Sequence, residues 1–187
     1  MMEDVSVLVD SLQPKGGVAG KSCQPPSKHY PLLSDTHSPL FMVPLLQNAK
    51  NAKERLDKFV DDIVAGMSGV ERKRAPLKSI ERALAKVYEK YGCNFAMLTD
   101  IARITIICDD ALALKSVLLK LKIAVDNEIT TIVRIKFRLD KEFDATEAGG
   151  YRDILINMFF PPQEEKESEH MVELQLNLKE FLKIKDG

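Results

Sequence analysis

Apolar residues change period along this chain, and the change divides it. From about Asn48, the residues Leu56, Phe59, Val60, Ile63 and Val64 recur three to four positions apart with Lys and Asp between them, which predicts a helix. Gly66 and the Ser68-Gly69 pair end it. A basic knot follows, Glu71-Arg72-Lys73-Arg74, closed by Pro76. A second helix is expected from about Leu77 to Tyr91, with Ile80, Leu84, Val87 and Tyr88 on one apolar face and Gly92 at the cap. After that the pattern turns to strands. Ile101–Cys108 is rich in β-branched residues, Ala111–Leu121 has helical composition and spacing, and Ile129–Leu139 is a long alternating strand. Asp140–Gly150 is an acidic loop, and Tyr151–Phe160 is a strand stopped by Pro161-Pro162. Gln163–Glu169 is a charged turn, Met171–Leu178 a last strand, and a helix starts near Lys179. The order α, α, β, α, β, β, β, α predicts an α+β domain whose mixed, largely antiparallel sheet is flanked by helices.

The stretch before this domain differs. Gly16-Gly17, Pro25-Pro26, Pro31, Pro39 and Pro44 break every pattern between residue 11 and about 45, so residues 1–46 read as a Pro/Ser/Gly-rich tail or linker and 47–187 as the domain. The last helix has only about eight residues before Gly187, so the domain is expected to continue in a longer protein.

Composition excludes several classes. The chain has 187 residues, 45% of them hydrophobic and 29% charged, with a net charge of −1. A near-neutral chain has no general attraction for nucleic acid or anionic membrane, so an anion site must be a local basic cluster. Cys23, Cys93 and Cys108 are scattered and fit reduced thiols in a cytoplasmic setting, not a disulfide framework or a zinc site. No apolar run is long enough to span a bilayer, and Glu3 and Asp4 with no basic n-region argue against a signal peptide.

Strand alternation locates the candidate chemistry. In Ile129–Leu139, the residues Arg134, Lys136 and Arg138 share one face, and Val133, Ile135, Phe137 and Leu139 share the core face. Three cations in a row suit phosphate oxygens; they equally suit a solvated face paired with acids on a neighbouring strand. In the last strand, Val172, Leu174 and Leu176 point to the core and Glu173, Gln175 and Asn177 the other way. Asp100 sits at the mouth of an apolar strand, with Arg103 three residues on and, by alternation, facing away. Two carboxylates brought together need a cation between them, and two carboxylates plus nucleotide phosphates is a usual magnesium arrangement.

Four segments together resemble the RelA/SpoT-type synthetase domains of the nucleotidyltransferase superfamily. Lys78-Ser79-Ile80 with Arg82 resembles a basic helix opening, and Asp100-Ile101-Ala102-Arg103-Ile104 the strand carrying the first acid. Arg134-Ile135-Lys136-Phe137-Arg138, then Gly150-Tyr151-Arg152, resemble R-x-K-D/N and G-Y-Q/R; Glu173-Leu174-Gln175-Leu176 resembles E-V/I-Q-I/L. The resemblance covers roughly residues 50–187. It implies magnesium-dependent transfer of pyrophosphate from ATP to a ribose hydroxyl of a guanosine-type nucleotide or an RNA. In that scheme Asp100 and Glu173 hold Mg2+, and Glu173 also serves as base. Lys78, Arg103, Arg134, Lys136 and Arg138 contact phosphates, Tyr151 stacks on the acceptor base, and Gln175 supports the site.

This chain departs from the pattern in three places. The histidine that closes the G-Y-Q-S-L/I-H segment is absent, Phe137 replaces the acid after R-x-K, and Thr105 stands where the family has an arginine. The clasp for the ATP adenine is only suggested by Arg72, Arg74 and Arg82. Two further readings therefore stand beside the enzyme: a nucleotide- or RNA-binding module without turnover, and a protein-interaction domain of a translocated effector or larger regulator whose amino-terminal tail docks on a protein partner.

Overall fold

A computed structural model describes residues 2–14, 23–24, 35–146, 149–163 and 169–185. The expected breaks at Gly16-Gly17, Pro25-Pro26 and Pro31, and most of the charged turn after Gln163, lie outside the described residues.

Among the described residues, five α-helices flank a single sheet of five strands. They run α1 (Met2–Leu12), α2 (Met42–Val64), β1 (Val70–Arg74), α3 (Ile80–Lys90), β2 (Arg103–Cys108), α4 (Ala111–Asp126), β3 (Thr131–Phe137), β4 (Ile154–Phe159), β5 (Val172–Leu178) and α5 (Lys179–Lys185). The strand order is β1-β2-β5-β4-β3. Only β2 and β5 run parallel; the other pairs are antiparallel, so the sheet is mixed and largely antiparallel as expected. One face carries Ile104, Ile106, Leu174, Leu176, Ile154 and Ile156 against Leu56 and Val60 of α2 and Leu114, Leu118 and Leu121 of α4. A second cluster joins Leu45 and Ala49 of α2 to Ala83 and Val87 of α3 and to Phe95, Leu98 and Ile101. This second core anchors the segment leading to Asp100.

Four elements differ from the sequence reading. Met2–Leu12, inside the stretch read as tail, is a helix that places Val5, Val9 and Leu12 in the core against α4. Their four- and three-residue spacing is helical, but the segment is too short to stand out from its surroundings. Helix α2 starts at Met42, six residues before Asn48, after a 3-10 turn that Ser38 caps by accepting from the Leu40 N–H. The basic knot is strand β1, an edge whose charged residues carry no alternation to read. Its Arg72 and Arg74 pair with Asp61 of α2 on the helix side of the sheet, so they do not join the face that carries Glu173. On α3 the buried positions are Ala83 and Val87, with Leu84 packed beside them, while Ile80 and Tyr88 are half exposed, Tyr88 laying its ring edge-on against Phe95.

Just ahead of β5 lies a buried histidine. His170 is 4% exposed, and burial alone pushes its pKa down to about 3. A depressed folded pKa contributes stability above the unfolded value near 6.5 that is lost as pH falls towards 3. Wild type should therefore lose roughly 1 kcal/mol per pH unit between about pH 6 and 4 relative to His170→Gln, measured by urea unfolding. Parallel pH profiles for the two proteins would contradict this.

Candidate active site

The parallel pairing of β2 with β5 creates the site. Parallel neighbours start at the same end of the sheet, so Asp100, just ahead of β2, meets Glu173 at the start of β5. The Glu173 N–H donates to the Ala102 carbonyl at 3.0 Å, which locks the two starts together. Side chains in register share a face, and the non-helical face is polar in rows. Arg103, Glu173, Asn157 and Arg134 form the first row, and Thr105, Gln175, Leu155 and Lys136 the second. Asp153 and Arg138 continue beside Asn177, with Arg138 Nε and Nη2 donating to Asp153 at 2.6 and 3.0 Å.

Each predicted residue can now be placed. Asp100 and Glu173 are both buried at 6% exposure. Lys78 and Lys86 donate to Asp100 Oδ2, the latter at 2.7 Å. Burial alone would raise the Asp100 pKa, but these two lysines outweigh it and hold the carboxyl below its ordinary value. Glu173 goes the other way: burial, then the Asp100 charge, raises its pKa against the pull of Gln175, Lys86 and Arg103. Gln175 donates to Glu173 Oε1 at 2.7 Å and accepts from Thr105 at 3.3 Å. Arg103 shares a face with Glu173 and does not turn away from the acids, because β2 begins at Arg103 and alternation does not extend back to Asp100. A bulge between Ile132 and Arg134 sends Ile132 into the core in place of Val133, while Arg134, Lys136 and Arg138 keep the polar face.

Those three cations differ in freedom. Arg134 is held by Asn157 Oδ1 at 2.8 and 3.1 Å, and Arg138 by Asp153. Lys136 and Arg103 make no hydrogen bond or ion pair among the described residues. Desolvation, then the charges of Arg134 and Arg138, lowers the Lys136 pKa, so the stripe gains from an incoming anion. The Tyr151 hydroxyl donates to Asn177 Oδ1 at 2.7 Å, with Asp153 Oδ2 at 3.2 Å from the same oxygen. Arg152 turns back to the carbonyls of Arg138, Asp140 and Phe143, so it braces the loop after β3.

Sequence reasoning missed Lys86, Asp153 and Asn157. Lys86 follows Lys78 and Arg82 at four-residue intervals, a basic helical stripe that was readable. Asn157 is the lone polar residue of Ile154–Phe159, a weaker signal. Two polar atoms on this face are buried with no partner: Asp100 Oδ1 and Asn157 Nδ2. Buried polar atoms are nearly always paired, so an orphan acceptor and an orphan donor on one face point to a ligand. Among the described residues no three His, Cys, Asp or Glu side chains cluster. An ion here would draw most ligands from phosphate and water, which suits magnesium.

No family model matches the chain, and neither does any curated protein sequence. Solved structures do match. The small alarmone synthetase 1 from Bacillus subtilis bound to its product pppGpp gives a TM-score of 0.51 at 19% identity, over 76% of this chain and 73% of that one. A GTP pyrophosphokinase family protein from Streptococcus pneumoniae gives 0.52 at 17%, over 76% and 70%. The type VI effector Tas1, solved with its immunity protein, gives 0.51 at 22%, over 74% of this chain; the chain spans 62% of Tas1. The architecture is that of the RelA/SpoT-type synthetase fold. No helix among the described residues is long and apolar enough to cross a membrane.

Proposed function

We propose that the polar face transfers pyrophosphate from ATP to a ribose hydroxyl of a nucleotide or RNA acceptor. The observation that carries this is the buried pair Asp100 and Glu173, with Asp100 Oδ1 unpartnered, set among Lys78, Lys86, Arg103 and Lys136. Asp100 Oδ1 and the Glu173 carboxylate are the atoms that would hold magnesium. A bound magnesium ion supplies positive charge against both carboxylates and the polyphosphate. Lys136 and Arg103, whose side chains make no hydrogen bond or ion pair among the described residues, bind phosphate oxygens, and Arg134 adds a fixed charge beside them. Glu173, with its raised pKa, accepts the acceptor's hydroxyl proton. The freed oxygen attacks the β-phosphorus; the bond from that phosphorus to the α-β bridging oxygen breaks, and AMP leaves. Tyr151, fixed by its hydroxyl, offers its ring to the acceptor base. The fold likeness to a synthetase bound to pppGpp supports a guanosine-type acceptor, and that to Tas1 supports a translocated effector with a protein partner.

The test is incubation with ATP labelled in its β- and γ-phosphates and a panel of nucleotides and tRNA, with and without magnesium. Labelled product and AMP should appear only with the metal. Transfer to no acceptor would overturn the proposal. In the same assay Lys136→Ala should raise the KM for ATP by about tenfold to a hundredfold, the worth of one charge-assisted hydrogen bond. An unchanged KM would remove Lys136 from the phosphate site.

A binding module without turnover is the second reading. Thr105, bound to Gln175 where the family has an arginine, favours it by leaving one cation fewer in the second row. It predicts nucleotide binding with little magnesium dependence.

A further inference from the structure

The two acids sit on separate segments, and one side chain from a third segment spans both. Gln24 is 3% exposed, far in sequence from everything it touches. Its Nε2 donates to the Leu98 carbonyl at 2.9 Å and to the Met171 carbonyl at 3.0 Å. Its Oε1 accepts from the Met171 N–H at 2.7 Å, and its own N–H donates to the Ala96 carbonyl at 2.6 Å. The amide orientation is dictated: Met171 N–H demands the oxygen, and the two carbonyls demand the nitrogen. His170 Nε2 lies 3.4 Å from the same Nε2. Leu98 precedes Asp100 by two residues, and Met171 precedes Glu173 by two. From Leu98 to Ala102 the chain is neither helix nor strand, and β5 begins only at Val172, so no ladder joins the two segments before Ala102 and Glu173.

We propose that Gln24 is a positioning residue for this site: one buried amide, delivered by the amino-terminal segment, sets the separation of the chain segments that carry Asp100 and Glu173. The assignment rests on the reading above for what the two acids do. The amino-terminal segment is thereby part of the catalytic unit. A misplacement of about 1 Å at a constellation of this kind commonly costs about a hundredfold in rate, and two carboxylates binding one hard cation are sensitive to their spacing.

The test compares the full-length protein with Gln24→Met, which keeps the volume and removes the hydrogen bonds. Gln24→Glu is the second variant; it keeps the bond from Met171 N–H and loses both donated bonds. Two readouts are needed: Mn2+ binding to the nucleotide-free protein by calorimetry, and amide hydrogen exchange. The expected result is exchange protection lost around residues 98–103 and 170–173 and retained in α2 and α4, with Mn2+ affinity down at least tenfold. Gln24→Glu should reproduce the local loss even if Gln24→Met fails to fold. Unchanged exchange at these segments, or loss spread evenly over the sheet, would overturn the proposal. If wild type binds no Mn2+ without nucleotide, as a site that draws most of its ligands from phosphate allows, the exchange pattern alone decides whether Gln24 sets the spacing.

Discussion

Glu173→Gln is expected to lower pyrophosphate transfer by about a thousandfold and to raise thermal stability in the same protein. The rate falls because glutamine neither accepts the hydroxyl proton nor offers a charged ligand, and losses on the order of 100- to 10,000-fold follow removal of such a group. The stability gain follows from the sign of the pKa shift. Burial and the Asp100 charge raise the folded pKa of Glu173. A raised carboxyl pKa contributes stability below the unfolded value, lost as pH rises through the folded one. Above the unfolded value the raised pKa therefore costs stability, and neutral glutamine removes that cost. Calorimetric melting at pH 7 should show a higher Tm for the variant. A lower Tm would mean that the negative charge is structurally required.

Asp100→Asn should do the opposite to stability. Asp100 and Lys78 have side chains only 8% and 10% exposed, and the carboxylate also receives Lys86. Removing its charge leaves Lys78 buried beside Lys86 and Arg103 without an anion, and breaking a buried pair from one side costs about 3 kcal/mol or more. Urea unfolding should show that loss together with loss of transfer. A change under about 1 kcal/mol would show that Lys78 reaches solvent, or another anion, on its own. The two carboxylates would thus be told apart by stability alone: one fixed by cations for the fold, the other kept at a cost for chemistry.

Much of this geometry was readable. Alternation gave a polar face to Val172–Leu178 and to the stripe Arg134, Lys136 and Arg138, and joined the two only if their strands were neighbours; they are not, and β4 between them carries the face across. What alternation could not supply was the parallel pairing of β2 with β5, since nothing local specifies which strand ends meet. It also failed where the chain is not a strand: Arg103 read as facing away only because Asp100 was counted in its strand. Lys78 carried the same difficulty, since a lysine at a helix opening is ordinarily solvated, and only the fold brings it to Asp100. Gln24 was invisible for a different reason. A single polar residue among prolines and serines has no period, and its partners lie 74 and 147 residues away.

On the proposed reading, Asp100 and Glu173 together face a cation and a polyphosphate. Crystals grown with Mn2+ and a non-hydrolysable ATP analogue test it most directly through anomalous scattering. The account predicts a peak bonded to Asp100 Oδ1 and to a Glu173 carboxylate oxygen, with analogue phosphates against Lys136 and Arg103. Manganese and phosphates elsewhere, such as against Arg72 and Arg74 on the helix side, would contradict it.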